Sequence, residues 1–150
     1  MRFSDGSGIE IEKVQVKISN LQFLIFNQFT MKQSSNNFDL EERTAKFGEE
    51  VIKFCKTIKQ DAITTSMIHQ LIRSGTSIGA NYMEANAASS KRDFRNKIYI
   101  CKKEAQETKH WLRMTAKCVP KSNEEIKKLW QEAQELTLIF QKITTSLRRK

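Results

Sequence analysis

Between residues 89 and 118, nine basic side chains stand against three acidic ones. Ammonium and guanidinium groups in such excess are the chemistry of phosphate contact, by point charge and by counterion release. Projected on a helix at about 100° per residue with Phe94 at zero, the cations gather on one side. Lys91, Arg92, Arg95, Lys102, Lys103, Lys109, Arg113 and Lys117 all fall between roughly 60° and 180°. Asp93, Glu104 and Glu107 fall between roughly 220° and 280°, and Lys97 lies with them, where Asp93 can pair with it four residues away. Tyr99 and His110 are interleaved with the cations. A flank of this kind could follow a nucleic-acid backbone. It could equally be a solvated face, or pair with acids elsewhere: Glu41, Glu42, Glu49 and Glu50, another subunit, or an acidic protein partner.

Other candidate chemistry is weaker. Glu107-x-x-His110 has the spacing used in di-metal helix bundles, but those need a second such motif, and the other histidine, His69, lacks one. No metal site and no cofactor are expected. No Ser-His-Asp, Cys-His or paired-carboxylate arrangement stands out, so an enzyme is not expected. The run Arg73-Ser74-Gly75-Thr76-Ser77-Ile78-Gly79-Ala80-Asn81-Tyr82 is small and polar inside a helical pattern. Each interior glycine costs about 1 kcal/mol against alanine, so Gly75 and Gly79 need a compensating role. They lie four apart on one face, which suits close approach of a neighbouring helix. The run lacks the G-x-x-x-x-G-K-[ST] pattern of a phosphate-cradling loop. Trp111 and Trp130, at the edges of apolar stripes, suit either a widened core or a subunit interface.

The elements that must position these residues are helices. From Leu40 on, apolar residues recur at helical spacing. The first stripe is Leu40, Phe47, Val51, Phe54, Cys55 and Ile58, with Asp39 as a candidate cap. The second follows Asp61 and runs to about Ala88 through Ile68, Leu71, Gly75, Ile78, Tyr82 and Ala85. The third starts near Ser89 or Ser90, with Asp93 as a capping-box partner for Ser90. Its stripe is Phe94, Ile98, Cys101, Ala105, Thr108, Leu112 and Thr115, in alternating steps of four and three, the heptad spacing of a seam against another helix. After Pro120, Ser122-Asn123-Glu124-Glu125 has the form of a capping box. The fourth stripe then runs through Ile126, Leu129, Ala133, Leu136, Phe140, Ile143 and Leu147, and the basic tail 148–150 suits a helix C-terminus. The expected fold is all-α, an antiparallel up-down four-helix bundle over residues 39–150.

Residues 1–38 are read as an irregular N-terminal extension. Residues 9–18 alternate in a strand-like way, and 33–37 read as a linker. One reading makes Met31 the biological start and the first 30 residues an upstream extension of the reading frame.

Two stretches carry a family resemblance: Leu71-Ile72-Arg73-Ser74-Gly75-Thr76-Ser77-Ile78-Gly79-Ala80-Asn81-Tyr82-Met83-Glu84-Ala85, and Asp93-Phe94-Arg95-Asn96-Lys97 with the later Lys103-Glu104-Ala105-Gln106-Glu107-Thr108-Lys109-His110-Trp111-Leu112. Over about residues 40–147 the chain resembles the bacterial four-helix bundle family named from 23S ribosomal RNA intervening sequences. That family in turn resembles the accessory variability protein of diversity-generating retroelements, a basic homopentamer that binds nucleic acid and a reverse transcriptase. The resemblance implies a homo-oligomer, with a pentamer as one form, an RNA or DNA partner, and a reverse transcriptase as a candidate protein partner.

Composition agrees with this outline. In 150 residues with a net charge of +9 there are one proline and five glycines, too few for a turn-rich all-β chain. Residues 1–88 carry no net charge, so the excess lies almost wholly in the third and fourth helices. Three scattered cysteines form no disulfide framework and fit a reducing compartment; the expected location is the cytoplasm. Cys55 and Cys101 fall on apolar stripes and read as buried thiols. No apolar run reaches membrane-span length.

Overall fold

A computed structural model describes residues 40–148 of the chain. The strand-like stretch, the Met31 start, the Asp39 cap and the last two basic residues lie outside the described residues. Four helices follow in order: α1 Leu40–Thr57, α2 Ala62–Asn86, α3 Lys91–Cys118 and α4 Asn123–Arg148. A 3-10 turn, Pro120–Ser122, leads into α4.

Local chemistry sets the boundaries. The Asp61 carboxylate accepts from the Ile63 and Thr64 N–H groups at 2.8 Å each, and Asp61 N–H donates to Thr64 Oγ1 at 2.8 Å. This reciprocal box starts α2. The N–H donors of Thr64 and Ile63 hold the Asp61 carboxyl below its usual range. Ser90 starts α3 by accepting from Asp93 N–H at 3.1 Å, so one half of the expected box forms. The box expected at Ser122 does not form. Pro120, which lacks an N–H and has its φ preset, occupies the first position of the 3-10 turn. Ser122 is thereby already inside the turn, with its own N–H bonded to Val119 O at 3.0 Å.

Cross-helix polar contacts trace the antiparallel order. Asn86 at the end of α2 donates to Glu41 at the start of α1 at 2.7 Å. Arg73 and Lys97 tie α2 to α3 through Glu107 and Glu84. Lys102 and Lys109 of α3 reach Gln141 and Gln134 of α4. Arg43 of α1 reaches Glu132 and Glu135 of α4. Every residue of the first three predicted stripes is buried. In α4 the same holds except for Leu129 and Leu147, which pack half-buried against the core.

The core also holds Thr44, Ser74, Thr108, Thr137 and Thr144. Their hydroxyls donate to backbone carbonyls of their own helices, at 2.7 to 3.3 Å. Bonding back three or four residues is how small polar side chains avoid an unsatisfied buried oxygen.

Candidate nucleic-acid interface

The helix α3 packs on α2 along one side and on α4 along the other, with Phe94, Ile98, Cys101, Ala105, Thr108, Leu112 and Thr115 between them. Everything else on α3 is rim. The eight cations of the predicted flank stand on the α4-facing and outward rim. Lys91, Arg92, Arg95, Lys103, Arg113 and Lys117 are exposed, and Lys102 and Lys109 are half-buried. Among the described residues, no carboxylate lies within ion-pairing distance of any of the eight. From Lys91 to Lys117 they line a ridge about 39 Å long.

Two of the eight have neutral partners. Lys102 Nζ donates to Gln141 Oε1 at 2.9 Å and lies 4.7 Å from the Tyr99 ring centroid. Lys109 Nζ donates to Gln134 Oε1 at 2.5 Å and lies 5.1 Å from the Trp130 ring centroid. Neither arrangement neutralises the charge. Both hold the ammonium at the boundary of α3 and α4 without a counter-charge. The amide partners were not expected from the sequence, although Gln134 and Gln141 share the seven-residue spacing of Lys102 and Lys109.

The α2-facing rim of α3 is different. Lys97 forms its ion pair with Glu84 of α2, while Asp93 acts on it only at longer range. Arg73 Nη2 meets Glu107 Oε1 at 2.8 Å, and Trp111 Nε1 donates to the same oxygen at 3.4 Å. Trp111 is half-buried against the core, with the His110 ring edge-on to it at 5.1 Å between centroids. Trp130 is 39% exposed. The two tryptophans therefore divide, one toward the core and one toward solvent.

The acids on α1 do not serve the basic flank. Glu41 accepts from Asn86, Glu42 pairs with Lys46 and Glu50 with Lys53. The helix α1 packs chiefly on α2 and lightly on α4, across the bundle from α3.

Gly75 and Gly79 face α1. A Cβ on Gly75 would stand 3.0 Å from both Val51 γ-methyls, and one on Gly79 would stand 3.4 Å from Thr44 O. The close approach is thus between helices of one chain. The polar members of the motif bond back to their own helix: Thr76 to Ile72 O at 2.7 Å, Ser77 to Arg73 O at 2.6 Å, Asn81 to Ser77 O at 2.8 Å. With these hydroxyl and amide donors spent inside the helix and Arg73 held by Glu107, the run serves packing rather than a phosphate cradle.

Cys55 and Cys101 are buried and Cys118 is exposed. Burial pushes the Cys55 thiol up to about 11 and the Cys101 thiol up to about 12. Among the described residues, no group of three His, Cys, Asp or Glu could hold a metal ion. No helix among them is long and apolar enough to cross a membrane.

Fold and flank together define a class: an antiparallel four-helix bundle with a row of cations on one seam. The sequence profile of the 23S rRNA-intervening sequence protein family matches residues 36–142, and the chain belongs to that family. A solved protein of unknown function from the S23 ribosomal protein family of Bacteroides thetaiotaomicron is 30% identical, with a TM-score of 0.64, over 71% of this chain and 98% of that one. No curated protein matches the chain.

Proposed function

We propose that this protein is a non-enzymatic nucleic-acid-binding bundle, with RNA as the preferred ligand, acting as a homo-oligomer in the cytoplasm. The observation that carries this reading is the unpaired state of the basic flank. Eight cations on one seam, without a described carboxylate against them, hold a potential that a polyanion would relieve. The contacts are to phosphates, so affinity falls steeply with salt and sequence preference is slight.

Titration of a labelled RNA at about 50 and 200 mM salt tests it. Binding that is insensitive to salt, or that survives reversal of Lys102, Lys109 and Arg113 to Glu, overturns the reading. The second reading is a protein-interaction scaffold, and exposed Tyr99 and Trp130 beside the cations favour it. Under that reading, charge reversal alters the oligomeric mass in light scattering while the parent binds no RNA. A pentamer and a reverse transcriptase partner belong to the same proposal through the retroelement resemblance. The mass and a pull-down against a purified reverse transcriptase test them.

A further inference from the structure

Tyr99 is 51% exposed and Trp130 is 39% exposed, both beside the unpaired cations. Each sits in the same small unit: an aromatic ring, a lysine ammonium over it, and a glutamine amide of α4 holding that lysine. The unit occurs twice. Lys102 and Lys109 are two helical turns apart, about 10.5 Å along α3. Large rings left in water on a highly charged face are an uncommon placement, because aromatic residues gain most from burial. Two parts of the unit match two parts of a nucleotide: the ring offers a stacking surface for the flat base, and the ammonium a contact for the phosphate. The amide positions the lysine, and in Gln141 it is further held by donating to Thr145 Oγ1 at 3.1 Å. In a duplex the base faces already stack on their neighbours and cannot reach a ring on a protein surface. A duplex would use the cations alone.

We propose that the α3–α4 face binds a single strand, with bases stacked on Tyr99 and Trp130 and the adjoining phosphates on Lys102 and Lys109. This rests on the nucleic-acid reading above and narrows it to one form of the ligand.

The test compares a short labelled oligouridine with an RNA duplex of equal length, for the full chain and its Trp130→Ala, Trp130→Phe and Tyr99→Ala variants. Circular dichroism verifies folding, and light scattering gives the mass. Each alanine variant is expected to weaken single-strand binding about 5- to 150-fold and to leave duplex binding unchanged. Trp130→Phe keeps a stacking face and restores most of the loss. In a Trp111→Phe background, the remaining tryptophan fluorescence is quenched by the oligouridine. Alanine variants that weaken neither ligand, or both equally, overturn the stacking and leave the phosphate reading standing. A change in oligomeric mass on Trp130→Ala also overturns it, since the ring is then a subunit contact. A parent that binds neither ligand overturns both readings.

Discussion

The two rims of α3 carry similar kinds of residue to opposite ends. On the α2 side, cations and anions alternate between helices and close on one another, as Lys97 does on Glu84 and Arg73 on Glu107. On the α4 side the facing residues are glutamine and tryptophan, so the lysines there are positioned without being neutralised. A helix carrying an excess of cations can spend them on its neighbours or hold them outward. What decides is the composition of the neighbouring helix at the facing positions. The paired rim adds little stability, because exposed pairs are each worth about 0–1 kcal/mol. The unpaired rim retains a charge that only something outside the described chain would meet.

The largest expected effect breaks the contrast directly. Reversing Lys102, Lys109 and Arg113 to Glu should lower RNA affinity at least about 100-fold near 0.1 M salt, and lower the salt slope by about three. Thermal unfolding should hardly move; a large drop in melting temperature would mean the flank is structural. Next comes the seat of α2 itself. Gly75→Leu should cost about 1–3 kcal/mol in chemical denaturation, because its side chain meets Val51 at the α1 contact. RNA affinity of the folded fraction should stay unchanged, since that contact lies across the bundle from α3.

The paired rim gives a smaller response. Arg73→Ala should destabilise by less than about 1 kcal/mol, with RNA affinity intact. An affinity loss equal to that of a flank lysine would erase the distinction between the two rims. Glu104 offers the finest test. Burial, with Glu107 nearby, raises its carboxyl above the ordinary value, and its Oε2 is buried without a hydrogen-bond partner. A raised folded value favours the protonated form. The stability this group contributes is therefore present below its unfolded pKa and lost as pH rises through the folded one. Glu104→Gln should make the protein slightly more stable at pH 7, by less than about 1 kcal/mol, and flatten that part of the pH profile. A destabilised variant would show that the charge is compensated.

Much of this molecule is legible in the chain. The stripes through Phe94 and Leu112, or Leu71 and Ile78, are set by helical periodicity alone, and Asp61 and Ser90 mark the starts of their helices by type and position. Helical spacing puts Thr108 and Thr115 on the core stripe despite their hydroxyls, and both are buried. The start of α4 was less legible. Ser122 and Glu125 have the spacing of a box, but the proline two residues earlier nucleates a turn that takes Ser122 inside. The cationic flank could also be drawn from the sequence, because an angle on a wheel depends only on residue number.

That wheel could not say what faces it. Whether Lys97 would pair with Asp93, four residues away, or with Glu84 depended on which helix lay alongside, and Glu84 won. Whether Glu41 to Glu50 would quench the flank depended on the order of helices around the bundle, which places α1 opposite α3. Local spacing along the chain sets the helices, their buried faces and the sign of charge on each rim. Which charges are spent and which remain is settled only when the helices pack. Neutralisation requires two side chains within a few ångströms, and only the packing of α3 between α2 and α4 sets those distances.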